Sequence, residues 1–196
     1  MATISSNKFS VDTFRNSLGN GGARPNQFLV SFGVMGDPTM SMLVQAASLP
    51  ASSIGEVAVP YRGRQVYVAG ERVYEPWTVT ILNDTNFTAR AKLEAWQNVI
   101  ARYETVYGET HPKQYMTNLT VEQLDRNENI LMTYVMKDAF PINISEVPLA
   151  YGDNDTISSF TCTFRYQSFA VSNESGSTST ALGSAPSINK RDSDAK

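Results

Sequence analysis

The chain of 196 residues has a single cysteine, Cys162, and a single histidine, His111. One thiol excludes an intramolecular disulfide and a cysteine-based metal cluster, so we expect Cys162 to be a buried thiol and predict no metal or other cofactor. Because His111 stands beside Pro112 in a predicted loop, without a partner visible in the sequence, we interpret it as a surface residue and not as a catalytic base.

Charge is also scarce. Charged residues make up 18% of the chain and the net charge is −3, whereas globular domains average about 25% charged residues. The chain therefore lacks the excess of positive charge with which nucleic-acid-binding proteins neutralise phosphates, which argues against sequence-specific DNA binding. A mildly acidic, weakly charged surface remains compatible with DNA sliding past it and with self-association.

Long hydrophobic runs are missing as well. No stretch approaches the roughly 20 apolar residues that a transmembrane helix needs. Residues 1–7 have neither the basic start nor the apolar run of a secretory signal. We therefore expect no membrane partner and a protein that is made and kept in the cytoplasm.

Two remaining candidate sites are incomplete. Asp153 and Asp155 have the spacing of two calcium-loop ligands, but the other ligands of such a loop are absent, so we interpret them as a turn. The glycine-rich run at residues 19–22 lacks the following Lys-Ser/Thr of a phosphate-binding loop. We predict a protein that is not an enzyme; a hydrolase would require His111 to lie beside a nucleophile and a carboxylate in the fold.

Segments with the residue pattern of β-strands are abundant in the sequence. Alternating or β-branched segments are bounded by glycine, proline and asparagine, which predicts many short strands. The predicted strands cover residues 26–34, 40–49, 54–59, 66–68, 77–82, 116–124, 130–136, 142–147 and 157–169. We expect the second of these to pair with the first, and the third and fourth to form a protruding hairpin that turns at Arg62, Gly63 and Arg64.

One long helix is predicted at about residues 84–101, where Asn83 and Asp84 offer N-cap chemistry. Its apolar residues group on one side, which predicts packing against a sheet. They are Phe87, Ala91, Leu93, Trp96, Val99 and Ile100. Residues 9–18 have the apolar spacing of a second, short amphipathic helix or a docked arm.

Many strands and one long helix predict a β-rich α+β fold: an antiparallel β-barrel or sandwich of two sheets with one flanking α-helix. We divide the chain into an N-terminal arm or short helix at 1–22, a β-barrel domain at 23–171 and a Ser/Thr-rich tail at 172–196. The tail has too little apolar content to offset the entropy of ordering it alone.

Seven short motifs in the first half of the chain occur in a recognisable order and spacing. They are Ala23-Arg24-Pro25-Asn26 with Phe28, Leu49-Pro50-Ala51, Val59-Pro60, Val68-Ala69-Gly70-Glu71-Arg72, Trp77-Thr78-Val79-Thr80, Asn83-Asp84 and Trp96-Gln97. Together they resemble the tail tube proteins of T4-like contractile-tailed phages, a family related to the tube proteins of type VI secretion systems and pyocins. The resemblance is strong over residues 23–98, while residues 103–169 match in strand pattern more than in identity.

The resemblance implies a structural virion protein, assembled in the host cytoplasm, without catalysis or cofactor. Six copies would form a ring, and rings would stack into the inner tail tube, the conduit for genome ejection, through whose acidic lumen DNA passes without specific binding. Its partners would be further copies of itself, the tail sheath protein, and baseplate and tail terminator proteins. Residues 51–70 resemble the part of the family's chain that extends towards the next ring, so Arg62 and Arg64 are our candidate inter-ring contacts.

Two alternatives remain open. The same architecture would serve a tube or tube-initiator protein of a phage-derived secretion system or contractile injection system. A small-ligand-binding β-barrel belongs to a different functional class, and it would need convergent polar groups lining its interior, which the sequence does not display.

Overall fold

A computed structural model describes residues 10–18, 22–33, 38–105, 107–152 and 154–172. Four helices and nine strands lie in these ranges. The helices are α1 (Val11–Ser17), α2 (Pro38–Met42), α3 (Thr88–Ile100) and α4 (Pro112–Tyr115). The strands are β1 (Phe28–Ser31), β2 (Val44–Ala47), β3 (Ser52–Tyr61), β4 (Arg64–Tyr74), β5 (Trp77–Leu82), β6 (Thr117–Leu124), β7 (Ile130–Ile144), β8 (Ser159–Arg165) and β9 (Ser168–Ser172).

Seven strands form one antiparallel sheet in the order β1-β6-β7-β8-β5-β2, and β9 also pairs with β7. Within the described ranges, the remaining strands, β3 and β4, pair only with each other and form a separate two-stranded sheet. The predicted β-rich α+β class, with antiparallel strands in two sheets and a flanking helix, is therefore confirmed. The predicted barrel is wrong, because β1 and β2 stand at the two ends of the strand order and the sheet is not closed.

The core lies on one face of the seven-stranded sheet, under α3. Alternate residues of β5 and β8 point into it, as the period-two pattern of both strands requires. The fully buried side chains include Trp77, Val79, Ile81, Phe160, Cys162 and Phe164. From the helix, Leu93 and Trp96 are buried against them, and the Trp96 and Phe164 rings are 5.9 Å apart.

The long helix begins later than predicted. Its first residue is Thr88, and Phe87 before it has a left-handed backbone with φ 53°. Asp84 nevertheless supplies the predicted capping chemistry, because its carboxylate accepts hydrogen bonds at 2.7 Å from both the backbone N–H and the hydroxyl of Thr88. The hydroxyl contact is the main reason why the pKa of Asp84 is lowered. The predicted apolar side is correct for Leu93 and Trp96, but Phe87, Ala91 and Val99 are exposed.

Three strand predictions are wrong in detail. Met40 lies in α2, and β2 pairs with β5 instead of β1, whose partner is β6. The segments 130–136 and 142–147 belong mostly to one continuous strand, β7, because a register shift next to Pro141 lets the ladder to β8 pass the proline. The predicted strand 157–169 starts at Ser159 and is interrupted at Tyr166 and Gln167, so it appears as β8 and β9.

The predicted three-part division of the chain includes residues that the structure does not describe. The division into an arm, a domain and a tail stays a prediction. Of its parts, α1 lies in the predicted arm and β9 ends at Ser172, while residues 173–196 lie outside the described residues.

Candidate assembly surface

The β3–β4 hairpin projects from the rest of the fold. Between residues 53 and 73 every residue is exposed apart from Gly70, which is half-buried. The ladder runs from Ser52 opposite Tyr74 to Tyr61 opposite Arg64. At about 3.3 Å per residue, a ten-residue strand spans roughly 30 Å. The hairpin is therefore a long arm with little of its surface covered by the chain's own core.

One face of this arm is apolar. Val57 lies opposite Val68 and Val59 opposite Val66, and residues directly opposite in an antiparallel ladder share a face. About half of each of these four valine surfaces is exposed. We call these four residues the valine face. The other face is mixed, with Glu56 opposite Ala69, Ala58 opposite Tyr67 and Pro60 opposite Gln65.

The tip of the hairpin carries the two arginines predicted as contacts. The turn consists of Arg62 and Gly63, with φ 46° and 78°, which is the backbone that two-residue turns between twisted strands prefer. Arg64 starts β4, and the Arg62 guanidinium carbon lies 5.6 Å from the centre of the Tyr61 ring. Among the described residues neither arginine forms an ion pair. The hairpin and its turn are confirmed, while the role of the arginines stays a prediction.

The base of the hairpin is fastened to the main sheet. The backbone carbonyl of Ala51 accepts hydrogen bonds from the Tyr166 hydroxyl and from the Glu75 N–H, both at 3.1 Å. The Tyr74 ring packs 6.0 Å from the Tyr166 ring and 5.6 Å from the Phe169 ring. Burial, chiefly, raises the pKa of Tyr166, so its hydroxyl keeps the proton that it donates.

The contacts that fasten the hairpin cannot be predicted from the sequence. Tyr166 follows Ala51 by 115 positions, and no local pattern connects residues so far apart. The only signal is that Tyr166 continues the apolar alternation of β8, which predicts burial but not a partner.

The hairpin is irregular just above its base. The register shifts between Ile54 and Glu56, because the single residue Gly55 of β3 stands opposite two residues of β4, Gly70 and Glu71. A Cβ placed on Gly70 would lie 3.1 Å from the backbone of Gly55, so a side chain there would press the two strands apart. The two glycines separate a fastened base from an exposed outer part.

The other residues singled out from the sequence lie in three different parts of the described structure. Cys162 is buried, and burial raises the pKa of its thiol to about 12. His111 is exposed ahead of α4, and its backbone N–H donates to the Glu109 carboxylate at 3.2 Å. Asp155 is exposed in the loop between β7 and β8, whereas Asp153 lies outside the described residues. Across the described ranges, no three His, Cys, Asp or Glu side chains are grouped so that they could hold a metal ion.

The depressions on the described surface are shallow and near loops. One of about 470 Å³ is bordered by the end of α3 and the loop after it, at Asn98, Val99, Arg102, Tyr107, Gly108 and Glu109. It does not enter the core, where apolar side chains fill the space under the sheet. Within the described part of the chain, no helix is both long and apolar enough to cross a membrane.

Comparison with known proteins points to one family. The sequence pattern that defines the phage tail tube proteins matches residues 4–172. The tail tube protein of Serratia phage KSP90 is 30% identical over 166 residues, which cover 80% of this chain and 94% of the relative. The tail tube protein gp19 of Enterobacteria phage T4 is 30% identical over 142 residues, covering 72% and 86% respectively.

Solved structures share the fold at lower identity. A chain of the tube-terminating cap of the anti-feeding prophage superposes with a TM-score of 0.61 at 13% identity, covering 88% of this chain and 99% of that one. A chain of the sheath-tube complex of an extracellular contractile injection system gives 0.57 at 16% identity, covering 84% and 99%. The fold therefore matches the sequence relationship, and this chain belongs to the phage tail tube protein family.

Proposed function

We propose that this protein forms six-membered rings that stack into the inner tube of a contractile phage tail, the conduit through which the genome leaves the virion. The sheath protein would surround the tube, and baseplate and terminator proteins would bind its two ends. The observation that carries the proposal is the β3–β4 hairpin: a single copy of the chain leaves a long strand pair with one apolar face in water.

An exposed apolar face of this kind is a signature of association. Each valine that leaves water contributes on the order of 1–2 kcal/mol, and monomeric proteins rarely expose contiguous apolar patches without a partner. A second copy of the chain is the partner consistent with a family of tube proteins. Stacking would cover the valine face and so remove its apolar surface from water.

The unpaired edges of the main sheet support lateral contacts within a ring. In one half of the seven-stranded sheet, the order is β7-β8-β5-β2. Among the described residues, β2 pairs only with β5, and the Phe140–Ile144 part of β7 pairs only with β8. Both outer strands therefore offer unpaired backbone groups, which another chain can complete. Two different edges meeting head to tail close into a ring when the rotation per copy allows it.

The proposed role requires no catalysed reaction, and we propose that the protein is not an enzyme. Its net charge of −3 favours a lumen along which DNA moves without adhering. Arg62 and Arg64, at the tip of each hairpin, would lie in contacts between rings and not on the lumen.

Negative-stain electron microscopy and native mass spectrometry of the full chain test the proposal. We expect a species of six copies, and stacks of rings at higher concentration or on addition of a baseplate nucleus. A monomer at all concentrations, with no ring in tail preparations, would contradict it. Single rings that never stack, even with sheath and baseplate proteins present, would instead identify a tube-initiator protein, the alternative with the same fold.

A further inference from the structure

The hairpin and a second exposed segment lie at opposite ends of the sheet. Trp77 pairs with Phe164 at the end from which the hairpin leaves, and there the Trp77 indole N–H donates to the Ser48 carbonyl at 2.6 Å. At the other end Leu82 pairs with Ser159, which follows the loop between β7 and β8. In a stack of copies that all point the same way, with these strands running along the stack axis, the hairpin end of one copy would face the loop end of the next.

The segment at that far end, residues 146–152 and 154–158, which we call the acidic segment, exposes apolar side chains. Leu149, Tyr151 and Ile157 are almost fully in solvent, and residues 148–150 and 156–159 border a depression of about 260 Å³. The loop therefore offers both apolar surface and a concavity, and no described residue covers either.

The charges exposed at the hairpin tip and on the acidic segment have opposite sign. Arg90 also reaches the loop end, where its guanidinium donates to the Ser145 carbonyl at 3.1 Å, but the same guanidinium is paired with the Glu94 carboxylate at 2.7 Å. The acidic segment carries Glu146 and Asp155 at exposed positions, and residues 139–164 contain no lysine or arginine. Asp84 belongs to the same end, because the backbone N–H of its neighbour Asn83 donates to the Ser158 carbonyl at 2.9 Å. The hairpin tip presents Arg62 and Arg64 beside an apolar face. Complementary charge gives an interface its orientation and register more than its affinity.

We infer that the hairpin tip of each copy docks on the acidic segment of a copy in the next ring, with Arg62 and Arg64 against Glu146 and Asp155 and the valine face against Leu149, Tyr151 and Ile157. The inference rests on the proposed function, because it names the partner surface of the same hairpin. It makes the contact heterologous, so that each copy uses its tip on one side and its acidic segment on the other.

A charge exchange tests the pairing. The tip variant, Arg62→Glu/Arg64→Glu, and the segment variant, Glu146→Lys/Asp155→Lys, each place like charges together in every ring-to-ring contact. Because a ring repeats the contact in every copy, we expect rings from both variants but a loss of roughly tenfold or more in the tube fraction, measured by sedimentation and electron microscopy. Circular dichroism and ring formation show that each variant is folded.

Mixing the tip variant with the segment variant should restore charge complementarity between rings. The tip variant keeps an acidic segment and the segment variant keeps a basic tip, so rings of the two variants should stack alternately and tubes should reappear. The chain that carries all four substitutions should likewise form tubes alone. A matched control, Lys113→Glu/Arg126→Glu, reverses two exposed cations that belong to neither the hairpin tip nor the acidic segment, and it should leave tubes unchanged.

The outcomes separate this inference from the function on which it rests. Wild-type protein that forms neither rings nor tubes would overturn both. Wild-type tubes together with normal tubes from the tip variant or the segment variant would overturn the pairing and leave the tube function standing. Loss of tubes from both variants without rescue by mixing or by the fourfold change would also overturn the pairing, because the two surfaces would then contact different partners.

Discussion

Cys162 shows how burial decides the chemistry of a residue. The thiol is enclosed among the aromatic residues of β5 and β8, and removal from water raises its pKa from the ordinary 9.0 to about 12. Since the thiolate is the nucleophile, we expect no reaction with a disulfide reagent at pH 8 until the protein unfolds. Labelling with and without denaturant measures this, and rapid labelling of folded rings would contradict the prediction.

The same shift gives a pH dependence of stability. The folded thiol binds its proton more tightly than the unfolded one, so its contribution is complete below pH 9.0 and is lost as the pH rises towards about 12. Cys162→Ala removes this dependence, and we expect it to cost about 1 kcal/mol and to leave assembly intact. Denaturant unfolding of both chains between pH 8 and pH 10.5 provides the comparison.

Gly108 is required by a close contact between the loop after α3 and the last residue of that helix, Ile100. A Cβ on this residue would collide with the carbonyl oxygen of Ile100 and lie 2.7 Å from its carbon. We expect Gly108→Ala to cost about 2 kcal/mol or more, which lowers the melting temperature by roughly 4–8 °C in a domain of this size. Gly152→Ala is the matched control, because nothing lies within 4 Å of its Cβ position. Equal melting temperatures for the two variants would refute the collision.

We expect substitutions on the two faces of the hairpin to have different effects on tube formation. Val57→Thr/Val68→Thr keeps the branched shape that strands favour but adds hydroxyls to the valine face. Because both residues are exposed in the single chain, we expect little change in melting temperature and a clear loss of tubes. Ala58→Thr/Gln65→Thr makes comparable changes on the opposite face. If both pairs reduced tube formation equally, the valine face would have no special role.

The base of the hairpin is held in part by one hydroxyl group. Tyr166→Phe removes the donor to the Ala51 carbonyl but keeps the ring that packs on Tyr74. We expect a loss of about 0.5–1.5 kcal/mol and faster hydrogen exchange at the Glu75 amide, which shares the same carbonyl. Unchanged exchange at Glu75 would show that the base is held without this bond.

Local elements were predictable from the sequence where their signals are local. The hairpin turn follows from Arg62-Gly63-Arg64 between valine-rich segments, and the buried alternation of β8 follows from Phe160, Cys162 and Phe164. The pairing of strands was harder to predict from the sequence. β1 was expected to pair with its neighbour in sequence, but its partner β6 lies about 90 residues away, and only the packing of the whole core selects it.

The candidate site was predicted only in part for the same reason. The exposed tip can be read from a turn signal and two arginines. Its fastening through Tyr166 and the position of the acidic segment at the opposite end depend on the register of β5 with β8, which no single segment encodes.

For the whole molecule, the predicted separation of domain and tail can be tested by truncation. β9 ends at Ser172, which pairs with Thr133, so removal of residues 173–196 leaves every described strand intact. We expect the shortened chain to keep its circular dichroism spectrum and its melting temperature. Loss of solubility or of β structure would show that the tail belongs to the folded domain.

The placement of the hairpin at one end of the sheet also determines what a finished column of copies leaves uncovered. In a column built by the proposed docking, every copy at one terminus would present a free basic arm, and every copy at the other would present a free acidic segment. A factor that starts the column and one that stops it must therefore have opposite chemistry: one supplies acidic, apolar pockets and the other supplies basic fingers. The two factors could not replace each other, and the column would have two chemically different ends.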